Sequence, residues 1–163
     1  MPSGVGTSVR FALDVEARPA QVRQWTIDSV MGDGGPMAPG SAIEVYEAGP
    51  NRFAARYSKG PMNQLRVVEW DGERSAHGVI DHTVSGRPYL TARYELALTP
   101  SANGTTVGAS YVLETPLWGL AWSLRWSRPR SLARRVARSW LRLENERQWA
   151  AAKVERVERG GDA

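Results

Sequence analysis

The sequence predicts an α+β protein: a curved, seven-stranded antiparallel sheet wrapped around one long C-terminal helix, with a short helix after the first strand. Three observations point to it. Thr7–Glu16 and then 42–115 run as short stretches of alternating apolar and polar residues, punctuated by Gly, Pro, Asn and Asp. Arg130–Val157 instead places Leu132, Val136, Trp140, Leu143, Ala150, Val154 and Val157 at steps of three, four or seven, the spacing of one helix face, with no Gly or Pro from Ser131 to Arg159. At about 1.5 Å per residue such a helix spans roughly 40 Å, and no other element is long enough to cover a sheet.

The elements follow in order. Val9, Phe11, Leu13 and Val15 alternate with polar residues, which is a strand buried on one face. Ala17-Arg18-Pro19 opens a helix, with Pro19 suited to the first turn and Val22, Trp25 and Thr26 inward, ending before Gly32. Met31–Ser41, rich in Gly and Pro, reads as a loop. No Gly-Lys-Ser/Thr follows it, so a phosphate-binding reading has little behind it. Six strands follow: Ala42–Ala48, Phe53–Ser58, Asn63–Asp71, Ser75–Ser85, Tyr89–Thr99 and Thr105–Thr115. Asp71-Gly72 and Asn103-Gly104 are hairpin turns, and Gly60-Pro61 and Gly86-Arg87-Pro88 are breaks. The expected organisation is a single domain over 1–157 with a disordered tail at 158–163.

Composition fits one globular domain: 163 residues, 42% hydrophobic and 23% charged. With no cysteine there is no disulfide, thiolate metal site or cysteine nucleophile. No apolar signal core opens the chain and Leu117–Trp126 is too short to span a bilayer, so a cytoplasmic protein is expected. The net charge of +4 is uneven: Arg125–Ala163 holds 11 basic and 5 acidic residues, the remainder 10 and 12.

Four stretches resemble the START-like helix-grip superfamily (SRPBCC), in particular its polyketide cyclase/dehydrase branch. They are the opening VRFALDVEARPAQVRQWTID, the hairpin LRVVEWDGERSAHGVI, the last hairpin YELALTPSANGTTVGASYVLE, and the final helix entered through PLWGLAWSLRW. The resemblance runs over about 7–157. It implies a ligand cavity between sheet and helix and, as activity, a polyketide cyclase or dehydrase working without metal or organic cofactor. It carries no catalytic motif residue by residue. Where many members have a second short helix, this chain has only the loop at 31–41.

The cavity-facing residues follow from alternation. Phe11, Leu13, Tyr57, Trp70, Leu96 and Leu113 line a hydrophobic ligand, with Trp140 and Leu143 from the middle of the long helix and Trp122 from a lid or rim. Tyr57, Tyr94 and Tyr111 put phenols on an apolar face, where each needs a partner: a ligand oxygen, solvent or a backbone carbonyl. His82 falls on the inner side of its strand, His77 and Asp81 on the other. A histidine there suits proton abstraction next to a carbonyl, with Tyr94 and Tyr111 beside the developing enolate. The plain alternative is a structural histidine bonded to a neighbour. Two histidines on opposite faces make no metal site.

Trp118, Trp122 and Trp126 step by four, flanked by Arg125, Arg128 and Arg130. This segment suits a lid, a homodimer interface or a peripheral membrane contact. The expected function is binding of a hydrophobic small molecule by a biosynthetic cyclase. The alternative is a non-catalytic lipid or isoprenoid carrier. A nucleic-acid role is the weakest of the three, because Glu144, Glu146, Glu155 and Glu158 interrupt the positive field.

Overall fold

The computed structural model describes residues 5–31, 42–128, 131–132 and 153–159. Its elements are β1 (Val5–Val15), α1 (Pro19–Met31), β2 (Ala42–Ala48), β3 (Arg52–Lys59), β4 (Met62–Asp71), β5 (Ser75–Val84), β6 (Arg87–Ser101), β7 (Gly104–Thr115), α2 (Trp118–Trp126) and β8 (Lys153–Arg159). They form one curved, open antiparallel sheet in the order β2-β3-β4-β5-β6-β7-β1-β8. All seven expected strands are present. Pro88 and Pro100, expected in turns, lie inside β6, opposite Thr83 and Thr105.

Alternation sorts the sheet into two faces, and the register aligns the inward residues into rows. One row runs Phe53, Val68, Gly78, Tyr94, Tyr111, Val9. The next runs Trp70, Ala76, Leu96, Ala109, Phe11. These rows are the core, closed by Val22, Ile27 and Val30 of α1 and by Leu124 and Leu132. Each large side chain buried there contributes about 1.5–3 kcal/mol. The β6–β7 turn is fastened to the start of α1. Gly104 lies so close to β1 that a Cβ would run into the Val15 carbonyl and meet the Ala17 amide at 2.8 Å. Beside it the Thr105 hydroxyl donates to the Ala17 carbonyl at 2.6 Å. Only glycine fits that approach, which accounts for the Gly-Thr-Thr after the turn.

The C-terminal segment differs from expectation. Of the helix expected over Arg130–Val157, Ser131 and Leu132 are helical, and 133–152, with Trp140 and Leu143, lie outside the described residues. Lys153–Val157 is strand instead of helix: β8 pairs antiparallel with β1, Val157 opposite Val9 and Val154 opposite Phe11. A valine spacing of three reads as helix. Here the register shifts between Arg10 and Phe11, and a bulge admits that spacing to a strand. The unpaired edge of β1 supplies the hydrogen-bonding groups. β8 runs on through Glu158 and Arg159, expected in the tail, opposite Ser8 and Thr7.

Candidate functional site

The inner face changes character along the strands. The row Ile43, Tyr57, Gln64, His82, Leu90 is its border. Behind it, Ala55, Arg66, Ile80, Ala92 and Leu113 are buried. On the open side, Ile43, Val45 and Met62 are 44%, 49% and 52% exposed although their register places them with inward residues. Among the described residues the inner face is therefore open at the β2 edge and closed towards β6 and β7.

A polar chain lies along this border. Arg66, buried on β4, donates from Nη1 to the Ser29 carbonyl at 2.8 Å and from Nε to Gln64 Oε1 at 2.7 Å. Its guanidinium sits 4.6 Å from the Tyr57 ring. With its oxygen bound to Arg66, the Gln64 amide turns its nitrogen to His82 Nε2, 2.9 Å away. That nitrogen donates, so His82 accepts at Nε2 and carries its proton on Nδ1. Burial, then the Arg66 charge, lower the His82 pKa, against an opposing pull from Asp81. His82 is thus neutral near pH 7. Burial also lowers the Arg66 pKa, and no carboxylate faces it among the described residues. It faces the C-terminal end of α1, where carbonyls carry partial negative charge and where those of Ser29 and Val30 also accept from the Tyr57 hydroxyl.

The three phenols have three fates. Tyr57 bonds the α1 carbonyls, and Tyr94 donates to the Val67 carbonyl at 2.9 Å. Tyr111 is stacked between Tyr94, 5.3 Å away, and Phe11, 5.9 Å away, and its hydroxyl is buried with no partner among the described residues. Burial raises the pKa of Tyr94 and of Tyr111, so both remain protonated. Trp70 Nε1 is likewise buried and unpartnered among the described residues, with the Arg23 guanidinium 5.3 Å from its ring. Phe11, Leu13, Leu96 and Leu113 are buried in the same core. Trp122 is not: it is 58% exposed on the outer side of α2.

His77 lies on the outward face with Asp71 and Glu69. No metal-binding group of His, Cys, Asp and Glu occurs among the described residues. A cavity of about 1270 Å³ opens on this outward side, where a floor of small residues, Ala97, Gly108 and Ser110, lies between Arg10, Glu69, Arg93 and Glu95. Several of its charges are already committed to ion pairs, Arg52 with Glu47 and Glu69 and Arg93 with Glu114. On the inner face, by contrast, the Tyr111 hydroxyl and Trp70 Nε1 have no partner among the described residues.

Arg66, Gln64 and Arg23 were not among the residues singled out from sequence. The signal for Arg66 was present: it shares the inward parity of Val68 and Trp70 on β4.

No family model and no curated protein matches this sequence. Solved structures do match in fold. The crystal structure of Ara h 8.0201 aligns with TM-score 0.56 at 12% identity over 90% of this chain and 94% of its own. TTHA0849 from Thermus thermophilus aligns with TM-score 0.53 at 17% identity, covering 82% and 90%. The di-domain ARO/CYC BexL, from the BE-7585A biosynthetic pathway, aligns with TM-score 0.52 at 15% identity over 89% of this chain. That match covers 48% of BexL, so this chain spans about half of it. The fold shared with these structures is helix-grip.

Proposed function

We propose that this protein binds a hydrophobic small molecule against the inner face of its sheet, entering at the β2 edge and turning an oxygen anion, or a carbonyl able to become one, towards Arg66. The observation that carries this is the buried Arg66 guanidinium with no carboxylate opposite it among the described residues. An isolated buried charge is costly, and such a group normally meets an anion. The α1 C-terminus offsets only part of it, since a helix end is worth about half a charge. The Tyr111 hydroxyl and Trp70 N–H, without a partner among the described residues, are further donors on the same inner face.

A second reading adds chemistry: a cyclase or dehydrase with no cofactor. His82, neutral and half-buried, is the base; Arg66 stabilises the enolate; Tyr94 and Tyr111 stand at the ligand oxygens. It is favoured by the neutral His82 next to a cation, a pairing suited to removing a proton beside a carbonyl. For His82 to act, Gln64 must release Nε2. The fold likeness to an ARO/CYC is compatible with this reading, and fold alone does not select it over a carrier.

Native mass spectrometry of the freshly purified protein tests the binding reading. A co-purified hydrophobic acid or polycarbonyl compound, absent from the Arg66→Gln variant, is the expected result. An empty wild-type protein that also fails to retain any added hydrophobic anion would overturn it.

A further inference from the structure

We infer that α2 is a docking helix for an anionic lipid surface. The helix is nine residues long and buries Ala121 and Leu124 against the sheet. Its opposite side carries Trp118, 83% exposed, and Trp122, 58% exposed, one turn apart, with Leu117 also exposed just before it. A Trp at 83% exposure gives up nothing to the fold of this chain. Indole rings partition to the boundary between headgroups and acyl chains, where the ring is buried and the N–H stays wet.

Charge selects the partner. Arg125 and Arg128 are exposed at the C-terminal end of α2. From 115 to 128 the chain contains no Asp or Glu to offset them. Exposed tryptophans beside the exposed Arg125 and Arg128 match an anionic membrane, which takes the rings into its interface and the arginines at its phosphates. A second copy of this chain fits worse, because a two-fold dimer through α2 would set two like-charged patches face to face. No helix of the described residues is long and apolar enough to cross a membrane. The proposal does not depend on what the inner face binds, since α2 offers its tryptophans on the outer side.

Flotation with 100 nm vesicles tests it, comparing phosphatidylcholine alone with phosphatidylcholine containing phosphatidylglycerol. The full chain is compared with Trp118→Ser/Trp122→Ser and with Arg125→Gln/Arg128→Gln, each checked for native circular dichroism. The expected result is binding only with phosphatidylglycerol, reduced at least tenfold by either double substitution. Quenching of tryptophan emission by lipids brominated in the acyl chain should be reduced in the Trp variant. Three results would overturn the proposal: no vesicle binding by the wild type; vesicle binding unchanged by Trp118→Ser/Trp122→Ser; or a solution dimer that needs these tryptophans and forms in place of vesicle binding. In the first case, tight binding of poly-uridylate RNA would favour RNA as the partner.

Discussion

Tyr94 occupies the space that a side chain at position 78 would fill. A Cβ built on Gly78 would lie 2.5 Å from both the Tyr94 Cζ and its hydroxyl, and would run into the Val67 carbonyl that the hydroxyl bonds. The two residues are paired across β5 and β6, so the glycine is the seat of the phenol. Gly78→Ala should cost about 1–3 kcal/mol as an overpacked core does. In a Tyr94→Leu background the penalty should shrink, giving a coupling above roughly 0.5 kcal/mol in a double-mutant cycle by chemical denaturation. Full additivity would contradict this reading of the pair.

The phenols at 57 and 111 should respond in opposite directions. Tyr57 donates to carbonyls at the end of α1, so Tyr57→Phe should lose about 0.5–1.5 kcal/mol. Tyr111 holds its hydroxyl buried without a partner among the described residues, so Tyr111→Phe should be neutral or stabilising by about 1 kcal/mol in ligand-free protein. Equal losses in urea denaturation would show that Tyr111 has a partner.

Acid should weaken the fold through His82. Its folded pKa lies below the unfolded value of 6.5, so the unfolded chain takes the proton first as pH falls. The stability concerned is fully present above pH 6.5 and is lost as pH falls from there through the folded pKa. His82→Gln should therefore lose less Tm between pH 7.5 and pH 5 than the wild type. An identical loss would remove His82 as the titrating group.

Most of the sheet was legible in the sequence because a one-sided sheet imposes strict alternation, and β2 begins and ends where its pattern does. α1 likewise starts at Pro19 and stops before the glycines. β8 was not legible: valines three apart satisfy a helix, and only the bulge opposite β1 makes them a strand. Leu13, Leu96 and Tyr111 were visible as inward residues because they sit in apolar rows. Arg66 was hidden by its type: a charged residue in an apolar row reads as an edge, and what keeps it inside, the carbonyl end of α1, is distant in sequence. The tryptophans of α2 were visible as a stripe, but alternation and period cannot say which side of a helix meets the sheet.

Arg66→Gln should also unseat the end of α1, since the Ser29 carbonyl and Gln64 each lose a charged donor. A loss of about 1–3 kcal/mol in denaturation is expected, small enough to leave a folded protein for binding work.

The binding claim is tested most directly with two fluorescent probes of similar shape, anionic 1-anilinonaphthalene-8-sulfonate and neutral N-phenyl-1-naphthylamine. They are titrated into wild type and Arg66→Gln, both carrying Trp118→Ser/Trp122→Ser so that α2 does not compete. The account predicts that the anion binds the Arg66 protein at least tenfold more tightly than the Arg66→Gln protein, while the neutral probe binds both alike. Equal affinity of the anion for the two proteins would contradict it and leave Arg66 as a helix cap alone.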